Sequence, residues 1–197
     1  MITETPHETL LRHIQKTCSL EEKDNALFMR YFKPIAFNRK ELILSNGNIS
    51  HHLYFVLSGT LHHFFTDQQG QQYSCSFALP GTFITDLESF SNQRPSTHSV
   101  EALNQSQCLR ISCVDCIALM NQSKAFHTYI YQMLEKVAHE NLQRTTDLIS
   151  LTPEQRYEKL ELQQKQLLQT VPQKYLASYL GISPESLSRL KKRRILI

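Results

Sequence analysis

No apolar run in this 197-residue sequence reaches the length needed to cross a bilayer, which argues against a helical membrane protein. The opening stretch MITETPHETLLRHIQK also lacks the apolar segment of a secretory leader. The expected location is therefore cytoplasmic, with no membrane partner. Glycine is scarce, and all five glycines fall at turn signals: Asn46-Gly47-Asn48, Ser58-Gly59, Asp67-Gln68-Gln69-Gly70, Pro80-Gly81 and Gly181. The five cysteines (18, 75, 108, 113 and 116) form no disulfide framework. Cys113-x-x-Cys116 lacks a second pair to complete a metal site, and Cys108 falls in a strand-like alternation, so reduced thiols are expected. Asp86 and Glu88 stand two apart, but no nucleophile–base pair accompanies them, and no enzyme is expected.

The histidines are suggestive and fall short. His51-His52 and His62-His63 are adjacent pairs in strand-like segments, where neighbouring residues point to opposite faces. Each pair then offers one inward imidazole, and no carboxylate stands at matching spacing. The reading is solvent-facing and core-edge histidines, with no metal.

What is present is an ordinary globular composition, 41% hydrophobic and 20% charged, at a length that suits one large domain or a medium domain with a small one. The net charge of +3 is unevenly placed. Residues 151–197 hold nine Lys/Arg against four Glu, a net of +5, which leaves −2 for residues 1–150. A near-neutral body with a basic end fits a nucleic-acid reader, and equally a solubilising tail.

In chain order, residues 8–16 and 20–31 carry apolar residues at helical spacing and read as two short helices packed against the domain next in the chain. From Phe32 the period becomes strand-like. Segments 33–37, 41–45, 52–58, 60–66, 72–77 and 108–112, separated by turns, describe a small β barrel or jelly roll. Residues 79–100 are irregular, with a helical turn over 85–90 and a polar loop at Arg94-Pro95-Ser96-Thr97 before a strand. A helix N-terminus beside hydroxyls and an Arg can cradle an anion, or the stretch is a plain connection. After a brief helix at 113–119, a long helix from about Lys124 to Leu148 carries an apolar stripe that includes Tyr129, Ile130, Met133, Leu134 and Val137. A second copy lying parallel would cover that stripe, which predicts a homodimer; a helix lying along the barrel would also cover it. Thr152-Pro153 starts a helix reaching Leu168, and Thr170-Val171-Pro172 breaks the chain again. The expected domains are N-terminal helices (1–31), a jelly roll (32–123), a dimerisation helix (124–149) and a helix-turn-helix (150–197).

The most informative stretch is QKYLASYLGISPESLSRLKKRR, residues 173–194. Leu176, Ala177 and Leu180 give a first helix its apolar face, and Gly181 permits a left-handed exit. Ser183 is a good N-cap and Pro184 suits the first turn of a second helix. Leu187 and Leu190 can pack back, while Glu185, Ser188, Arg189 and Lys192 share the other face. That is a helix-turn-helix with a polar, mostly basic reading face. The alternative is a helical hairpin whose solvated side happens to be basic.

Four stretches in order, YFVLSGTL (54–61), Asp86-Leu87-Glu88-Ser89-Phe90, Leu151–Tyr157 and VPQKYLASYLGISPESLSRL (171–190), resemble the Crp/Fnr superfamily of bacterial transcription regulators, in its Bacteroidetes-type version. The resemblance implies an α+β chain: an N-terminal jelly roll of cyclic-nucleotide-binding type, a long dimerisation helix and a C-terminal helix-turn-helix. It implies that Glu185, Ser188 and Arg189 read base edges, Arg189 donating to guanine and Glu185 accepting from a cytosine amino group. Gln173, Lys174, Ser183, Lys191, Lys192, Arg193 and Arg194 would contact phosphates. It also implies an effector pocket around Thr85, Asp86, Leu87, Arg94, Ser96 and Thr97.

The sequence departs from the family in that pocket. Thr85-Asp86-Leu87 replaces Gly-Glu-Leu, and Ser96-Thr97 stands where Arg-Ser/Thr is expected. The charge-assisted phosphate clamp is missing unless Arg94 supplies it, so the expected effector is not cAMP. The cysteine cluster that holds iron–sulfur in oxygen-sensing relatives is absent, and no cofactor is expected. The sequence stops at Ile195-Leu196-Ile197, without room for the wing that often comes after the reading helix. The expected function is a homodimeric, sequence-specific DNA-binding regulator, with RNA polymerase and an unknown small-molecule effector as further candidate partners. The alternative is a ligand-sensing or protein-interaction module with a vestigial DNA-binding motif.

Overall fold

The computed structural model describes residues 4–195, without the side chains of Arg194 and Ile195. The readings for the Arg194 and Ile195 side chains and for Leu196-Ile197 fall outside the described residues.

Local capping starts the first helix. In α1 (Pro6–Gln15) the Thr5 hydroxyl accepts the Glu8 N–H while the Glu8 carboxylate accepts the Thr5 N–H. With α2 (Glu22–Tyr31) it buries Leu10, Ile14 and Phe28. These side chains cover the outer surface of a β sheet, meeting Phe55, Leu109 and Ile111 in one cluster.

The strands are β1 (Lys33–Phe37), β2 (Leu42–Leu44), β3 (His52–Ser58), β4 (Leu61–Thr66), β5 (Gln72–Ala78), β6 (Phe83–Ile84), β7 (Ser99–Ala102) and β8 (Ser106–Ser112). They form two four-stranded antiparallel sheets, ordered β1-β8-β3-β6 and β2-β7-β4-β5. Phe37, Val56, Leu61, Ile84, Val100 and Cys108 make a second apolar cluster from both sheets, in the manner of a jelly roll. The β3–β4 corner requires glycine. Gly59 has φ +90°, and a Cβ there would lie 2.2 Å from Ser106 Oγ and 2.7 Å from the Gln105 carbonyl oxygen. The two-residue β6 escapes a periodicity reading because it is too short to show alternation.

Beyond the strands come α3 (Leu87–Asn92, between β6 and β7), α4 (Cys113–Gln122), the long α5 (Lys124–Ser150), α6 (Pro153–Gln163), α7 (Lys165–Thr170), α8 (Gln173–Leu180) and α9 (Pro184–Ile195). The single helix expected over 153–168 is two helices, broken at Gln164 (φ −139°, ψ 46°). Among the described residues no helix is long and apolar enough to cross a membrane.

The expected dimerisation stripe needs correction. Tyr129 and Ile130 are only 8% exposed, packed with α1, α2 and α4 in the chain's own core, and Met133 and Leu134 lean on the same cluster. Tyr129 Oη also bonds His13 Nε2 at 2.8 Å. The first half of α5 therefore spends its apolar face inside the molecule. Val137, Leu142 and Ile149, further along, are exposed.

Candidate nucleic-acid interface and effector pocket

The C-terminal helices surround their own small core of Tyr157, Leu160, Leu167, Val171, Leu176, Ala177, Leu180, Leu187 and Leu190. Gly181 adopts the left-handed conformation at φ 69°, and the Ile182 N–H returns to the Ala177 carbonyl, closing α8 as a Schellman-type turn. Ser183 Oγ then accepts the Ser186 N–H at the start of α9. With Leu187 and Leu190 buried, helical spacing turns Glu185, Arg189 and Lys192 to solvent, with Ser188 half-buried beside them. Arg189 Nε reaches back to the Glu185 carbonyl at 3.4 Å. Gln173, Lys174 and Ser183 are exposed and Lys191 half-buried. Arg193 leans toward Glu154 at 4.0 Å, an exposed pairing worth little by itself.

Helix α8 also touches the jelly roll. Ser178 Oγ accepts the Ser74 N–H at 2.9 Å, and Tyr179 meets Phe77 edge-on. Arg144 of α5 donates to the carbonyls of Ser74 and Tyr179, both at 3.1 Å, and lies over the Tyr179 ring. Tyr175 approaches His62, which is fully buried between Phe64 and Phe77. The Glu101 carboxylate can only accept, so His62 Nδ1 donates to it at 3.0 Å. Nε2 is then the acceptor of the Ser74 hydroxyl at 2.9 Å. Burial holds His62 below its ordinary imidazole range, and its bond in turn lowers Glu101. Lys174 belongs to this side of α8: its ammonium lies over the Tyr175 ring. Sequence reasoning did not find Arg144, Glu101 or this docking, because each contact joins residues far apart in the chain.

The expected effector residues are only partly brought together. Asp86 is the N-cap of α3, which sets its carboxylate against the helix N-terminus. It accepts the Ser89 N–H at 3.0 Å and the Ser96 hydroxyl. His63 beside it, then Ser96 and Ser89, hold this carboxyl well below the usual range despite burial. Thr85 turns to Ser50 and the His52 carbonyl, and Thr97 to His98. Leu87 and Arg94 are exposed, and Arg94 supplies only its backbone carbonyl, to Ser89 Oγ.

A carboxylate partner for the histidines does exist. His63 Nε2 lies 3.7 Å and His98 Nδ1 3.3 Å from Asp86 Oδ2, and the imidazole rings are 4.8 Å apart. The sequence reading lacked a carboxylate because it sought one at strand spacing, whereas Asp86 comes from the start of a helix. The cysteines are free thiols, and burial pushes Cys108 and Cys116 up to about 12.

Residues 34–123 match the cyclic nucleotide-binding domain family. Three solved structures share the architecture beyond that domain. FixK2 from Bradyrhizobium japonicum is 14% identical, with a TM-score of 0.72 over 82% of this chain and 83% of that one. A putative transcriptional regulator of the Crp/Fnr family from Eubacterium rectale is 12% identical, with a TM-score of 0.68 over 90% and 84%. The chain therefore shares its fold with both. The c-di-GMP-responsive global regulator CLP of Xanthomonas campestris shares the fold as well, at 15% identity and a TM-score of 0.66 over 89% of this chain and 92% of that one. No curated protein matches the sequence. α3 and its flanking loops fall inside the matched cyclic nucleotide-binding domain, and α8–α9 form a helix-turn-helix beyond it.

Proposed function

We propose that the chain is a homodimeric, sequence-specific DNA-binding transcription regulator of the cytoplasm, answering to a signal other than a cyclic nucleotide. The observation that carries this reading is α9. Its apolar side is buried in the domain core while Glu185, Arg189 and Lys192 are exposed on the opposite face, with Lys191 and Arg193 in the same last turns. Arg189 is the base reader, since its fork matches guanine O6 and N7. Glu185 accepts from a cytosine amino group, Ser188 lies between them, and the flanking cations and amide hold phosphate. Pairing along the exposed part of α5 would set two such helices against successive major grooves. RNA polymerase is a further candidate partner.

The filled cradle is what argues against a cyclic nucleotide. A phosphate entering beside α3 would displace or face the Asp86 carboxylate, and among the described residues no buried arginine stands there to offset the repulsion.

Arg189→Ala should cost roughly 1–3 kcal/mol per half-site and relax specificity at one base position, measured by gel shift against DNA from upstream of the protein's own gene. Lys192→Ala should weaken all sequences alike and flatten the salt dependence. Unchanged operator affinity in Arg189→Ala would remove the reading face from the proposal.

A further inference from the structure

We propose that His63, Asp86 and His98 form a binding site for a divalent transition-metal ion of the zinc class. The three potential ligand atoms lie within 4.8 Å of one another. They come from β4, from the start of α3 and from the loop entering β7, so the fold holds them together independently of sequence distance.

Two donors bound tetrahedrally at about 2.0–2.1 Å from zinc stand about 3.4 Å apart. The two separations from Asp86 Oδ2, 3.7 Å to His63 and 3.3 Å to His98, bracket that value. The His63 separation is too long for a hydrogen bond. His63 Nε2 is buried, yet among the described residues it has no hydrogen-bond partner. An orphaned imidazole nitrogen beside a carboxylate is costly when left alone and is satisfied by a cation between them.

The surroundings support the carboxylate as a ligand. Ser89 N–H donates to Asp86 Oδ1, and the Ser96 hydroxyl steadies Oδ2 while accepting the His98 backbone N–H. Two imidazoles with one carboxylate suit zinc, cobalt or iron(II); calcium and magnesium prefer oxygen alone. His63 and His98 also line a cleft of about 1310 Å³ bordered by α5 and α6, through which an ion can enter and a fourth ligand can reach it.

The test uses untagged, chelator-stripped full-length protein and no DNA, so that its outcome is independent of the regulator reading. Competition for Zn²⁺ against a chromogenic chelator should show one ion per chain. Co²⁺ should give d–d absorption without a thiolate charge-transfer band, which separates this site from Cys75 in the same cleft. His98→Ala, at a half-exposed position that tolerates truncation, and His63→Ala should each weaken binding by at least the 10–100-fold that outer-shell changes cost. His51→Ala should not. The proposal fails if the wild-type chain cannot compete for Zn²⁺, if Co²⁺ reports sulfur ligation, or if folded His98→Ala binds as the wild type does.

Discussion

His62 and His63 are neighbours on one strand and live in opposite circumstances. His62 faces the helix-turn-helix domain and is completely buried, yet both ring nitrogens are satisfied and three aromatic rings surround it. His63 faces the α3 side, and its Nε2 has no hydrogen-bond partner among the described residues. The residue type is the same and the positions differ by one. Strand alternation sends one ring to a finished polar network that ties the two domains together, and the other to a cluster with coordination capacity to spare. A buried histidine is therefore informative only once both nitrogens have been accounted for.

The largest expected effect falls on the satisfied side. His62→Ala empties an aromatic stack and leaves Glu101 and Ser74 without their partner, which should cost roughly 3–5 kcal/mol in chemical denaturation. A loss below about 1 kcal/mol would mean that the network carries no stability and would erase the contrast.

An intermediate effect is expected from pH. Burial lowers the folded-state affinity of His62 and His98 for protons, so the unfolded chain binds more protons than the folded one just below the ordinary imidazole value of 6.5. Stability should fall as pH drops below that value. The depressed carboxyls of Asp86 and Glu101 contribute stability above their unfolded values, lost only as pH falls further through their folded ones. Thermal unfolding from about pH 7 to about pH 5 should show the decline, with a shallower slope in His62→Gln. A flat profile would contradict the assignment of a neutral, buried His62.

The smallest effect should be His63→Ala in metal-free protein. Asp86 keeps its bonds from Ser89 and Ser96, so about 1 kcal/mol is expected by denaturation. A cost matching that of His62→Ala would show His63 to be structural as well.

Much of this architecture was readable where the signal is local. β1 and β3 begin and end where the alternation does, and α8, Gly181 and α9 result from caps, a left-handed exit and apolar spacing. The reading failed where the deciding partner was remote. Tyr129 and Ile130 belong to a stripe at helical spacing, but spacing does not say whether a second copy or the chain's own α1 and α2 covers it. Arg94 was a candidate clamp by strand alternation, and it is solvent-exposed on a loop. Gln164 interrupts a helix without a proline or glycine to announce it.

By itself the sequence determined the identity and order of the main elements and the exposed polar face of α9, because periodicity, capping and turn geometry act over a few residues. Tertiary structure alone decided three things: that Asp86 caps α3 and holds Ser96, that α8 docks on β5 through Ser178, and that His63 and His98 converge on one carboxylate. Each depends on which segments the two sheets bring side by side, and that proximity leaves no mark on spacing along the chain.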